Sequence, residues 1–278
     1  MLDDVVVEKI IPEVKEIKVV NPLLERARIP GETFTLPSLG LFYKNGEVSD
    51  DVENGEIYIM PMVTLDEIIL KSPEKLYSGT AIEEVFKRCI PQINRPMELL
   101  AKDVDFILTA LRKISFGNTS EIEFIHTCEK AKSHNYTLDM NAFISNTVKM
   151  DPTSTTTDYT RTLKNNQILK ISPPRFLPAL KIYQAALDDT EMNEEELAKD
   201  ILNSIASMID AVDEIVDKKM IVEWLAILNP IQITEIKEII EGIADWGTDF
   251  KTTIVCKDCK KEVDVTSEIN PISFFFGN

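Results

Sequence analysis

The sequence has few of the residues, and none of the motifs, by which the common enzyme classes are recognised. Only nine of its 278 residues are glycine and only two are histidine. It contains no glycine-rich phosphate loop, no Gly-x-Ser-x-Gly and no His-Glu-x-x-His motif. Neighbouring carboxylates such as Asp188 and Asp189 are typical of solvated helix faces in so acidic a chain. We therefore expect no catalytic residues and a protein that is not an enzyme.

Basic residues and long apolar runs are also scarce. Lysine and arginine number 30 against 47 aspartate and glutamate residues, so the net charge is −17. This balance argues against nucleic acid as a partner. No apolar run approaches the roughly 18 residues that span a bilayer, and the acidic start is unlike a secretory signal. We expect a cytoplasmic protein with no membrane partner.

The composition is that of a globular protein, and the spacing of its apolar residues predicts the α+β class. Hydrophobic residues make up 44% and charged residues 28% of the chain. Apolar residues alternate in several short segments, which predicts a β-hairpin-rich part, and recur at three- and four-residue steps in others, which predicts helices. The long helix expected after Asn193 carries its stripe through Val212 and Ile215.

These patterns divide the chain into three parts. Residues 1–32 are interpreted as an N-terminal arm. Residues 33–172 and 248–278 form an α+β domain with zinc-ribbon-like hairpins, and 173–247 form a helical bundle inserted into it. The ending contains Phe274, Phe275 and Phe276, which we expect to dock on the domain or on a partner because three phenylalanines are costly to expose.

A Cys-x-x-Cys pair is the sharpest local motif. Cys256 and Cys259 lie between two strand-like runs, and four cysteines in a chain of this size are too few for a disulfide scaffold. Such a pair chelates half of a tetrahedral zinc site. Cys128 occupies the same place at the end of another strand, with His126 before it and His134 in the connection beyond it.

The resulting hypothesis is a zinc ribbon closed by two knuckles far apart in sequence. Its ligands would be Cys128, His134, Cys256 and Cys259 around one structural zinc, with His126 as the alternative to His134. The competing interpretation is a metal-free hairpin with two thiols, which Ala131 favours because a second Cys-x-x-Cys would have cysteine there. A thioredoxin-like redox pair is disfavoured because a strand, not a helix, follows it.

Several segments together resemble the baseplate hub and hub-assembly proteins of T-even-type contractile-tailed bacteriophages. They follow one another in order from about Phe34 to the C-terminus. The segments are Leu36-Pro-Ser-Leu-Gly-Leu-Phe-Tyr, Ile57-Tyr-Ile-Met-Pro-Met-Val-Thr-Leu-Asp-Glu, Lys71-Ser-Pro-Glu-Lys-Leu-Tyr-Ser-Gly-Thr-Ala-Ile, Cys89-Ile-Pro, Asp103 with Ala110-Leu-Arg-Lys-Ile-Ser-Phe-Gly, and Asn270-Pro-Ile-Ser-Phe-Phe.

The resemblance implies a non-enzymatic role in building the hub of a phage tail baseplate. Family members often carry two Cys-x-x-Cys knuckles, of which this sequence keeps the second and only Cys128 of the first. The implied partners are other hub and tail proteins in a hetero-oligomeric assembly. The implied location is the virion tail, or the host cytoplasm during assembly.

Two alternatives stay open at this point. The protein could be a transient hub-assembly chaperone that is absent from the mature virion. It could also be a zinc-dependent cytoplasmic regulator or enzyme, which would require an open coordination position on the metal.

Overall fold

Short antiparallel hairpins and helices make up the described part of the chain, which agrees with the α+β class expected from the sequence. A computed structural model describes residues 29–128, 132–153, 159–178, 180, 194–243 and 245–266. Residues 1–30 form one unit and the chain from residue 31 onward forms another. The expected arm as far as residue 28 and the three phenylalanines near the end lie outside the described residues. The three-part division of the chain stays a prediction.

The first core joins a hairpin to a group of helices. Strands β1 (Glu32–Thr35) and β2 (Glu56–Ile59) pair antiparallel, with Phe34 opposite Ile57. Their inward side chains pack against the helices α1 (Thr64–Leu70), α2 (Pro73–Tyr77), α3 (Thr80–Cys89) and α4 (Ala101–Phe116).

Helix α4 is the central element of this core. Val104, Ile107, Leu108 and Leu111 recur at helical spacing and are all buried, as the sequence predicts. The helix ends at Gly117, whose φ of 97° lies in the region that favours glycine. The segment that follows is therefore free to turn back as a strand.

Two further hairpins carry the cysteines and histidines of the predicted zinc site. β3 (Thr119–Ile125) pairs with β4 (Ser133–Asp139), and β8 (Lys251–Val255) pairs with β9 (Glu262–Thr266). Helix α5 (Met140–Ser145) follows β4 directly, with the Asp139 side chain accepting from the Asn141 N–H at its start. Both hairpins are predicted by the alternation of apolar residues.

A second core lies between a small sheet and three helices. β5 (Thr160–Thr162), β6 (Ile168–Ile171) and β7 (Ile209–Val212) form the sheet. The helices are α6 (Glu194–Met208), α7 (Lys218–Ile227) and α8 (Pro230–Gly242). α8 begins at a capping box formed by Asn229 and Gln232, with Pro230 in its first turn.

The structure corrects one prediction in this region. The long helix expected to continue through Val212 and Ile215 ends at Met208, and β7 follows without a break. Val212 pairs with Leu169, and Ile209 is fully buried against the second core. Apolar residues at three-residue steps suit a helix face, but sheet pairing decides the conformation of the β-branched residues here.

A buried carboxylate joins the first hairpin to helix α4. Asp103 is wholly buried and accepts hydrogen bonds from the Ser38 N–H at 3.0 Å, the Ser38 hydroxyl at 2.5 Å and the Tyr43 hydroxyl at 2.6 Å. The Tyr43 oxygen in turn accepts from the Leu100 N–H. Burial raises the pKa of Asp103 to about 6, although its hydrogen bonds act in the opposite direction.

This pKa predicts an unusual dependence of stability on pH. Because the pKa of Asp103 rises from 3.8 when unfolded to about 6 when folded, its stabilising contribution is greatest in acid and is lost as the pH rises to about 6. Asp103→Asn stays neutral throughout. Between pH 4.5 and 7, the unfolding free energy of the wild type should therefore fall by about 2 kcal/mol relative to the variant.

Urea unfolding of both proteins at the two pH values measures this change. Most other titrating groups are common to both chains and cancel in the difference. Asp105 is the exception, because the charge of Asp103 raises its pKa further, and this coupling adds to the fall expected of the wild type. A difference between wild type and variant that stays constant with pH would contradict the prediction.

Candidate metal centre

Two turns from distant parts of the chain meet at one end of the two hairpins. His126 and Cys128 follow β3, while Cys256 and Cys259 occupy the turn between β8 and β9. The second turn is closed by backbone hydrogen bonds from the Cys256 N–H to the Lys261 carbonyl and from the Lys260 N–H to the Cys256 carbonyl, both 2.9 Å long. The two segments are separated by more than a hundred residues of chain.

Four potential ligand atoms converge there. One atom each from His126, Cys128, Cys256 and Cys259 lies within 4.8 Å of the other three. The Cys259 sulfur is 3.4 Å from Nδ1 of His126. Zn–S bonds of about 2.3 Å at tetrahedral angles place two sulfurs about 3.8 Å apart, so the observed group is close to that size. The cluster could hold a metal ion.

The electrostatics of the cluster favour a thiolate. The Cys259 backbone N–H, the His126 side chain and the Asp258 backbone N–H lower the pKa of Cys256 to about 6 despite its burial. For Cys259, the Lys261 backbone N–H lowers the pKa, but burial and the neighbouring Cys256 raise it above its ordinary value. Cysteine binds metal as the thiolate, so Cys256 is prepared for coordination at neutral pH.

Three of the four predicted ligands are brought together, and His134 is not among the converging group. The predicted connection proved shorter, because β4 already begins at Ser133 and His134 pairs with Phe124 inside the hairpin. His134 Nε2 instead lies 2.8 Å from an Asp258 carboxylate oxygen. The structure thus favours His126, the alternative left open by the sequence, as the fourth member.

The choice of histidine follows from local backbone geometry. The Cys128 N–H donates to the His126 carbonyl at 2.8 Å, which closes a three-residue turn just beyond β3 and places both residues at the end of the hairpin. The two-residue spacing was available in the sequence. The exact start of β4, which decides the place of His134, was not.

Contacts from β4 fix the second turn in place. The Lys257 N–H donates to the Tyr136 hydroxyl at 3.1 Å, and the Lys257 ammonium lies over the Tyr136 ring and donates to the Asn135 carbonyl. Below the turns, Tyr136, Ile254 and Val265 form a small buried cluster between the hairpins. Asp258 and Lys257 were not identified from the sequence as contributors to the site.

Comparison with known proteins identifies the family. A family model described as T4 bacteriophage base plate protein matches residues 48–277. The chain belongs to this family. The match includes both hairpins and all four converging residues. No curated protein and no solved structure shows a significant match.

The chain is therefore a phage baseplate protein. This confirms the resemblance at the level of the T4-type baseplate. Within the part of the chain described by the structure, no helix is long and apolar enough to cross a membrane.

Substitution of the two histidines tests which of them is a ligand. When the chain is loaded with Co²⁺, His126→Asn should change the visible absorption bands, because it alters an atom bound to the ion. His134→Asn should leave the band positions unchanged and weaken Co²⁺ binding by at most about 100-fold, as expected of a group that only supports the site. Titration of each variant with Co²⁺ under reducing conditions provides both measurements.

His134→Asn is the matched control, since it removes an imidazole from the same hairpin. Altered bands in this variant, with unaltered bands in His126→Asn, would reverse the assignment.

Proposed function

We propose that this protein is a structural component of the central hub of a contractile phage tail baseplate. The family match over residues 48–277 carries the proposal. Its role there is to bind other hub and tail proteins during baseplate assembly, without catalysing a reaction. The protein would then reside in the virion tail after assembly, and in the host cytoplasm before it.

We also propose that the four-residue cluster binds one structural zinc ion. Three cysteines and one histidine are a usual ligand set for structural zinc, and four protein ligands leave no open position for a substrate. This closed set supports a structural ion over the catalytic zinc of a cytoplasmic regulator or enzyme. The residues that would hold the ion are His126, Cys128, Cys256 and Cys259.

A transient assembly chaperone is the second candidate function. Several large apolar side chains are exposed on the described surface, including Ile227 at 82% and Ile231 at 72%, at the junction of α7 and α8. Exposed apolar side chains of this kind suit a protein that covers a partner surface. They suit a hub subunit equally, so presence in the finished particle decides between the two.

Removal of zinc should destabilise the protein. A ligand that binds only the folded state stabilises it by about 4 kcal/mol when its free concentration is a thousandfold above Kd. Protein purified without chelator should contain one zinc per chain, and its melting temperature should fall after treatment with a strong chelator. Cys256→Ser should contain little zinc and show no further fall, which makes it the matched control.

Clearly less than one zinc per chain in the wild type would contradict the metal proposal. It would leave the baseplate proposal intact, because the two rest on different observations.

The role in the hub is tested genetically. Phage that lack this gene should accumulate tail intermediates without a joined hub, and the wild-type gene supplied in trans should restore complete tails. Quantitative mass spectrometry of purified particles should find the chain in fixed ratio to other tail proteins. Normal infectious tails from the deletion would refute an assembly role, whereas defective tails with no copy of the chain in wild-type particles would favour the chaperone.

A further inference from the structure

The surface beside the candidate metal centre carries several lysines, in a chain with a net charge of −17. Lys260 and Lys261 follow Cys259 at the end of the second turn, just before β9. Lys132 directly precedes β4 on the other hairpin. All three are exposed. We call these three lysines the basic tip. The nearest carboxylates in sequence are Asp258, which bonds to His134, the exposed Glu262, and Glu129, which lies outside the described residues.

Lys260 occupies a backbone conformation that favours glycine. Its φ is 61°, in the left-handed region, where a side chain is disfavoured relative to glycine. The turn requires this conformation, because the Lys260 N–H and the Lys261 carbonyl close it against Cys256. A lysine at this position therefore works against the stability of the turn.

The lysine at this position gains no structural contact in exchange. Among the described residues, Lys260, Lys261 and Lys132 take part in no salt bridge or side-chain hydrogen bond. Lys257 in the same turn is different, because its ammonium is held by the Asn135 carbonyl and the Tyr136 ring. Residues in strained backbone conformations are concentrated at functional positions, and no side-chain contact within the fold explains a lysine here.

We propose that the basic tip is a docking site for an acidic surface of another protein. Three unpaired ammonium groups beside the two converging turns of an otherwise acidic molecule give a local positive field, which attracts and orients a negatively charged surface. The two hairpins that carry the tip are held together by the contacts of Lys257 and by the apolar cluster of Tyr136, Ile254 and Val265, so the lysines are carried on an ordered base. This deepens the proposed assembly function by giving the chemistry of one partner surface, and it rests on that function.

An acidic protein surface suits the tip better than nucleic acid does. Nucleic acid binding needs an extended basic face because the phosphates continue along the strand. The tip is short, and the rest of this molecule would repel a long polyanion. A compact acidic patch on a partner protein contacts the tip alone.

Binding of a model acidic chain tests the proposal. The full-length protein, with its metal content measured in each case, is titrated into a fluorescent poly-L-glutamate peptide, short enough to contact the tip alone, at low and at physiological salt. The wild type should bind in a salt-sensitive manner. The double variant Lys260→Glu/Lys261→Glu should bind about tenfold or more weakly.

The matched control reverses two other exposed lysines. Lys164 and Lys170 are both exposed and lie in the β5–β6 region, away from the turns. Lys164→Glu/Lys170→Glu changes the net charge by the same amount, and it should bind poly-L-glutamate within about twofold of the wild type if the tip is the site.

Lys260→Gly separates function from structure. Because glycine relieves the left-handed strain, this variant should melt at a higher temperature than the wild type and yet bind poly-L-glutamate more weakly. A variant that binds as tightly as the wild type would overturn the role of Lys260.

Three other results would overturn the proposal. They are no binding of poly-L-glutamate by the wild type, equal weakening by the control pair, and tighter binding of single-stranded DNA than of poly-L-glutamate. None of them bears on the genetic test of the hub role, so failure of the basic tip and failure of the proposed function are distinguishable.

Discussion

The contact between residues 126–128 and residues 256–259 is the constraint on which the arrangement of the β3–β4 and β8–β9 hairpins depends. Each of the two hairpins has only two strands, and an isolated two-stranded hairpin is marginally stable in water. The apolar cluster between them has three buried members among the described residues, with Ile122, Phe124 and Val263 partly buried against it, so burial alone contributes modestly. Hydrogen bonds that Lys257 donates to Tyr136 and Asn135, and the contact between His134 and Asp258, supply additional attachment. A zinc ion at the proposed site would add to it. Closing so long a stretch of chain costs entropy that these contacts must offset.

Buried polar groups give the first core its particular arrangement. Asp103 fixes the irregular segment after β1 to α4, and Glu47, also buried, forms an ion pair with Arg175 at 3.1 Å. Arg175 also donates to the Phe42 carbonyl, so the start of the helical region is bound to the same segment. Loss of one partner would leave a buried charge uncompensated, which is strongly destabilising. These polar contacts specify a register between elements that apolar packing alone would leave open.

The sequence predicts the local elements better than the contacts between distant ones. Helix α4 and the hairpins follow from the spacing of apolar residues, and the start of α8 follows from Asn229-Pro230. The strand β7 was mistaken for helix because its neighbours in the second core, not its own pattern, decide its conformation. The convergence of Cys128 with the Cys256–Cys259 pair was predicted from chemistry. His126 rather than His134 joins this group, because β4 already begins at Ser133, and strand ends are set by pairing rather than by propensity.

Lys260 differs from the other described non-glycine residues that adopt a left-handed backbone conformation. Three of the others are asparagine or aspartate, which tolerate this conformation because their short polar side chains bond locally: Asn54, Asn166 and Asp213. Leu39 and Phe42 have no such tolerance, but the first lies beside the Ser38–Asp103 bonds and the second packs between two apolar clusters. In both places, buried contacts of the surrounding segment offset the strain. Lys260 has neither a tolerant side chain nor buried contacts. Because no contact within the fold offsets its strained backbone, we attribute the lysine at this position to binding of a partner.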